Sequence, residues 1–217
     1  MRIGIDARLY GLEHAGLGRY VTLLVQNILK LDKKNHYVLF LNSKHTSEFK
    51  GKKRITVVET NVPIYSFSEQ LILPFVFARQ HLDLLHVPHF NAPILYTGKL
   101  LLTIHDLIKN DSKGRDTTTH HQSMYFIKRL GYLFLTQVIA KRAVHILVPS
   151  KYVKEDIAKR LHLSPEKITV TYEAATGSIK EVTLSQEEKT KLLNHYRLTQ
   201  PYVVYTGSVY PHKNIDV

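Results

Sequence analysis

A chain of 217 residues is longer than an average domain and too short for two complete α/β domains. Its apolar fraction of 44% suits a packed core and excludes wholesale disorder; the absence of cysteine excludes disulfide frameworks, thiolate metal sites and thiol nucleophiles. A formal net charge of +12 asks for an anionic partner, whether nucleic acid, an anionic lipid surface or a phosphorylated small molecule. The lysines are scattered rather than blocked, and neither an RRM-type aromatic signature nor zinc-finger spacing is present. A membrane surface or an anionic ligand is therefore favoured over nucleic acid.

Met1 to Asp6 reads at once as a strand, so no secretory leader is expected and a reducing, cytoplasmic setting fits. Ile3 to Ala7 is the first strand, followed by a loop through Gly16 and Gly18. A helix of period about 3.6 then carries Tyr20, Leu23, Leu24, Asn27, Ile28 and Leu31. Tyr37 to Leu41 and Ile55 to Glu59 are the next strands. A helical pattern from Ser66 to His81 contains Pro74, which is expected to kink or break it.

Leu84 to Val87 and Leu100 to Ile104 are continuous apolar runs, as parallel strands covered on both faces require. A long helix over 118–142 follows. Lys128, Arg129, Lys141 and Arg142 interrupt its apolar stretch and make it a poor membrane span. Val144 to Val148 is a strand, Ser150 an N-cap for a helix to about Leu161, and Ser164-Pro165-Glu166 a short helical turn. Ile168 to Tyr172 closes the series. Such alternation predicts an α/β fold with a doubly wound parallel sheet.

The predicted organisation is a Rossmann-like domain over 1–176, then an interdomain linker over 177–200. Ser185 and Glu188 make a capping box there, opening a polar helix. Residues 201–217 are expected to be the first strand, around Tyr202 to Tyr205, and the helix start of an incomplete second domain.

Three places suit chemistry. Gly16-Leu17-Gly18-Arg19 stands where open α/β sheets bind phosphates, between the first strand and its helix. The same glycines serve equally in a tight turn, and an exposed Arg19 is ordinarily just solvated. His105 and Asp106 follow the strongest apolar strand, at the carboxyl end where ligands of such sheets sit. Against that stand a histidine bonded to a carbonyl and an aspartate capping the next segment. Gly207 to Asn214 repeats the first loop's logic, with His212 and Lys213 at a helix start suiting a diphosphate. Asp6 is read as bonding its own turn. His81, His86 and His89, and the pair His120 and His121, lack a carboxylate at ligand spacing, so no metal is expected. Nucleophile-elbow, P-loop and kinase signatures are absent. The first loop lacks the third glycine of a dinucleotide fingerprint, which disfavours a nicotinamide dehydrogenase.

Gly4-Ile5-Asp6-Ala7-Arg8, Gly16-Leu17-Gly18-Arg19-Tyr20, His105-Asp106-Leu107, Val148-Pro149-Ser150, and Tyr205-Thr206-Gly207 leading to Pro211-His212-Lys213-Asn214 occur in this order. As an ordered set they resemble the family 4 retaining, mannosyltransferase-like glycosyltransferases, whose two facing Rossmann-like domains form the GT-B fold. The resemblance covers the whole chain and implies sugar transfer from a nucleotide-diphosphate donor to a glycan or lipid-linked acceptor, with retention and without a metal cofactor. It implies that this chain supplies mainly the acceptor-side domain and is inactive alone. His105 would lie beside the transferred sugar, with Asp106 next to it. Gly16, Gly18, Arg19, Gly207, His212 and Lys213 would face the donor diphosphate. The chain departs from the family pattern at His212, commonly arginine, and at Ser208, often Asn or Arg.

The competing reading is a non-catalytic basic α/β module that binds nucleic acid or an anionic membrane. An epimerase-like sugar-nucleotide enzyme is a third, weakened by the missing glycine fingerprint. Peripheral contact with the inner face of the membrane is compatible with the leading reading.

Overall fold

Seven short apolar runs form one wholly parallel sheet in the order β3-β2-β1-β4-β5-β6-β7. The strands are β1 Arg2–Asp6, β2 His36–Leu41, β3 Ile55–Glu59, β4 Leu84–Val87, β5 Leu100–Thr103, β6 His145–Val148 and β7 Ile168–Val170. The computed structural model describes residues 1–107, 122–174, 183–199, 201–207 and 215. The helices among them are α1 Ala15–Leu31, α2 Phe67–Ala78, α3 Gln122–Arg142, α4 Lys151–Arg160 and α5 Gln186–His195. The predicted doubly wound α/β sheet is what forms.

Alternation along each strand divides the core into two layers. On β2, Val38 and Phe40 join Leu73 and Phe77 of α2, together with Leu85, Leu102, Ile139 of α3, Ile146 and Ile157 of α4. Leu39 and Leu41 face the other way, toward Ile5 and toward Val21 and Val25 of α1. Phe40 and Phe77 meet edge to face with centroids 4.6 Å apart, an arrangement worth about 1 kcal/mol beyond the area it buries.

Local signals behave largely as read. Ser150 accepts from the Val153 N–H at 3.2 Å to start α4, and Ser185 and Glu188 close the capping box of α5. Two expectations are corrected here. Pro74 does not break α2, which runs on to Ala78. Leu73, Pro74 and Phe77 are all buried against the sheet, and that packing outweighs the roughly 3 kcal/mol a proline costs inside a helix. Gly16 and Gly18 do not lie in a loop; α1 begins at Ala15, so both stand in its first turn.

The chain divides into two compact units, Met1–Ala174 with the sheet, and Ala175–Val217. In the second unit the strand expected around Tyr202 to Tyr205 is not formed. Residues 202–206 have no regular structure, and Val203 is 98% exposed. A strand is defined by ladder bonds to a neighbour, and none of the described residues supplies one.

Candidate functional site

Strand order reverses at β1, with β2 on one side and β4 on the other, and crevices at such points take ligands in open α/β sheets. A small pocket lies there, lined by Asp6, Arg8, Glu69, Pro88, His89 and Asn91 among others. Its charged lining is saturated. Arg8 donates from Nε to Asp6 Oδ1 at 2.8 Å, from Nη2 to Asp6 Oδ2 at 2.7 Å and Glu69 Oε1 at 2.6 Å, and from Nη1 to the Val62 carbonyl at 3.1 Å. Glu69 Oε2 accepts from the Tyr65 N–H at 2.8 Å and from the Asn91 amide. Burial opposes the Arg8 charge, but Asp6 and Glu69 hold its pKa above the ordinary arginine range. Burial pushes the Glu69 carboxyl up, and Arg8 pulls it back. Every polar atom that this triad presents is spent on fixing β1, α2 and the segment after β4 together.

One strand over, His105 stands just past β5. Its Nδ1 lies 2.7 Å from Glu173 Oε1, and a carboxylate only accepts, so Nδ1 carries a proton. Its Nε2 is 3.4 Å from the Pro88 carbonyl, longer than a good hydrogen bond. The Tyr20 ring stands edge-on to the imidazole with centroids 4.6 Å apart. Tyr20 Oη reaches Thr103 Oγ1 at 3.4 Å, and that hydroxyl pairs with His86 Nε2 at 2.9 Å. Burial, assisted by the nearby His105, pushes the His86 imidazole down to about 4, so it sits neutral beneath the site. A histidine fixed through one nitrogen by a carboxylate and half open at the other is arranged to exchange a proton or hydrogen-bond a ligand.

Tyr20 brings the first turn of α1 beside His105. No side chain caps that turn, since His14 at the N-cap position makes no capping bond. The Ala15 N–H bonds back to the Leu12 carbonyl, and the positive end of the helix dipole lies at this turn. Gly18 is required for packing, because a Cβ there would collide with the Gly11 carbonyl oxygen; Gly16 has open space where its side chain would be. The turn before α1, Leu12–His14, is tied down from the β2 side. His45 sets Nε2 3.0 Å from Glu13 Oε1 and Nδ1 3.0 Å from Glu48 Oε1, and Tyr10 donates to Glu48 at 2.9 Å. Against the opposing effect of burial, the two glutamates raise the His45 pKa.

Of the residues singled out in the sequence, Gly16, Gly18, Arg19 and His105 gather at the carboxyl edge of the sheet. Arg19 and Asp106 are exposed. Gly207 belongs to the second unit, and His212 and Lys213, like His120 and His121, lie outside the described residues. Asp6 bonds within its own turn, accepting at 3.4 Å from the Arg8 N–H. Among the described residues no three His, Asp or Glu side chains stand together to hold a metal. Sequence reasoning missed Glu173, which lies 68 positions from His105 and carries no motif of its own. It also missed the Arg8–Glu69 pair, although a glutamate in the otherwise uncharged 60–78 stretch was a visible oddity.

The profile described as Glycosyltransferase Family 4 matches residues 15–174, and the chain belongs to that family. Over 141 residues it is 28% identical to "O-antigen chain mannosyltransferase RfbU" of Salmonella typhimurium, a match covering 56% of this chain and 36% of that protein. Crystal structures of Anabaena HepE, in complex with UDP and in complex with UDP and glucose, are similar in fold, with TM-scores of 0.51 and 0.52. Identity to them is 14% and 15%, and each match covers 90% of this chain and 50% of the other. The fold is the Rossmann-like half of a GT-B architecture, and the chain spans about a third to a half of the relatives that it matches. Among the described residues no helix is long and apolar enough to cross a membrane.

Proposed function

We propose that this chain forms the acceptor-side wall of a retaining sugar-transfer site, fed by a nucleotide-diphosphate sugar and delivering to a glycan or lipid-linked acceptor. The observation that carries the reading is the His105–Glu173 pair, held past the end of β5 against Tyr20 in the second turn of α1, a helix whose N-terminus no side chain caps. In this reading the amides around Gly16 and Gly18, with Arg19, face the donor diphosphate and stabilise the negative charge that develops as it leaves. Gly207, His212 and Lys213 are assigned to the donor diphosphate by their sequence motif, His105 contacts the transferred sugar with Asp106 beside it, and no metal takes part. The relatives support the chemistry: one is named a mannosyltransferase, and others were crystallised with UDP and glucose. Family membership favours this reading over a non-catalytic basic module, and nucleic acid is not among the proposed partners. The work is cytoplasmic, with peripheral contact at the inner membrane face where the acceptor is lipid-borne.

The test uses an enzyme in which this chain is joined to a complete second domain of its family. His105→Ala should lower kcat about 100-fold, the low end of what a positioned acid–base group supplies, while leaving the melting temperature nearly unchanged. Full turnover by that variant would remove His105 from the site. The 217-residue chain alone should show no turnover, and measurable transfer by it would overturn the acceptor-side assignment.

A further inference from the structure

Charge is distributed unevenly over this chain. Residues 60–78 and 84–98 together contain one charged side chain, Glu69, where the chain average of 22% would place about seven. Glu69 is buried on Arg8 and contributes nothing to the surface. The two segments pack against each other. Gln70 of α2 bonds the Ala92 carbonyl and the Ile94 N–H, and Asn91 bonds Glu69. Together they make a continuous uncharged face on a protein carrying +12.

That face is also apolar. Phe67, Leu71 and Phe75 succeed one another at i, i+4 and i+8 along the outside of α2, 92%, 61% and 69% exposed. Ile72 widens the stripe, and Tyr65 before the helix and Leu95 in the packed segment are exposed as well. Leu73, Pro74 and Phe77 already fill the inward side of the same helix. The outer stripe is therefore surplus to the core, and an exposed apolar run of this size marks a contact surface.

The cations that frame it identify its occupant. Arg79 follows Phe75 by one turn, Lys99 ends the second uncharged segment, and Lys141 and Arg142 end α3; all four are exposed. Arg142 donates to the Ile94 and Tyr96 carbonyls on either side of Leu95, which places its charge at the margin of the apolar face. Asp83, their acidic neighbour in the chain, accepts from the Arg2 N–H at 2.7 Å. Aromatic and aliphatic side chains on one helix face, without carboxylates and with a basic margin, match the interface of an anionic bilayer, where apolar groups enter the acyl boundary and cations meet headgroups.

We infer that the outer face of α2, with the segment around Leu95, docks this protein onto an anionic lipid surface. The helix lies flat, Phe67, Leu71 and Phe75 enter the interface, and Arg79, Lys99 and Arg142 neutralise headgroups. Phe67 opens α2 at the carboxyl edge of the sheet and Arg79 follows the helix at the amino edge, so the docked face runs the length of α2. The surface argument stands on its own observations; its link to a lipid-borne acceptor rests on the transfer proposed above.

The experiment is co-sedimentation of the 217-residue chain with vesicles of phosphatidylcholine alone, and with phosphatidylcholine and phosphatidylglycerol mixed two to one. Binding to the mixed vesicles, little to the neutral ones, and weakening with added salt are expected. Phe67→Ser with Phe75→Ser should reduce partitioning at least about tenfold, since two ring-sized apolar groups leave the interface. Arg79→Glu with Lys99→Glu should reduce it on anionic vesicles only. Both pairs are at the surface, and an unchanged melting temperature would show that the fold is kept. Unaltered vesicle binding by the phenylalanine pair, or no binding by the parent chain, would overturn the inference. So would a parent chain that is dimeric in light scattering and made monomeric by that pair, because the face would then be covered by a second copy. Transfer to a soluble acceptor by the two-domain enzyme should survive the phenylalanine pair. Loss of vesicle binding with transfer intact therefore separates this inference from the proposed function.

Discussion

Two charged clusters stand on the same edge of the sheet and have opposite fates. The Asp6–Arg8–Glu69 triad at β1 is buried, and its polar atoms are used within the domain. The His105–Glu173 pair beyond β5 is partly open: Glu173 is 45% exposed, and His105 keeps one ring nitrogen without a short partner. A charge sealed among partners stiffens a structure, whereas one left half open can meet a ligand. Position on the sheet edge alone does not tell the two apart; saturation does.

The sharpest way to break that contrast is Arg8→Met. It leaves two buried carboxylates facing each other, and losing one partner of a buried ion pair costs about 3–5 kcal/mol. Urea titration near neutral pH should show a loss of that size; a loss under about 1 kcal/mol would mean that water already reaches the triad. His105→Ala should do the reverse, with activity falling about 100-fold in the two-domain enzyme and stability changing by less than about 1 kcal/mol.

Acid should single out the layer beneath the open pair. His86 is held neutral, with its pKa depressed to about 4. A histidine lowered in the fold binds fewer protons there than in the unfolded chain. Its contribution is therefore complete above the unfolded value near 6.5 and is lost as the pH falls toward 4. By about pH 5 the loss should reach roughly 2 kcal/mol. Denaturation of His86→Asn followed against pH should be flatter by that amount over this window; identical slopes would show that His86 is not the group responsible.

The smallest effect concerns His45, which pins the turn before α1. Its pKa is raised by Glu13 and Glu48, so its contribution is present below the unfolded value near 6.5 and fades as the pH rises through the folded one. Solvent screening at Glu13 and Glu48 keeps the effect below about 1 kcal/mol. NMR titration of the His45 ring should give a midpoint above that of an unpaired histidine, and Glu13→Gln should lower it. An unshifted midpoint would show that the turn is not held this way.

Most of the sheet was legible because parallel strands buried on both faces write themselves as uninterrupted apolar runs, and six of the seven ended within one residue of the expected place. β7 stopped two residues early, at Val170, leaving Tyr172 exposed. Capping also read true at Ser150 and Ser185, since a cap is decided within four residues. Pro74 misled because its local cost is outweighed by packing contributed from strands far away in the chain. The glycine turn misled because a helix start at Ala15 depends on Gly18 passing close beneath Gly11, a contact that no period reveals.

The sequence by itself therefore determined the alternation of strands and helices, the placing of His105 and the glycines at the carboxyl edge, and a resemblance that family membership bears out. Only the tertiary structure decided which charges are spent and which remain. Arg8 meets Glu69 across 61 positions and His105 meets Glu173 across 68, and neither pairing leaves a local trace because the sheet, not the chain, makes those residues neighbours. The same holds for the outer face of α2. An uncharged run looks the same in a core and on a surface until packing shows which side is left over.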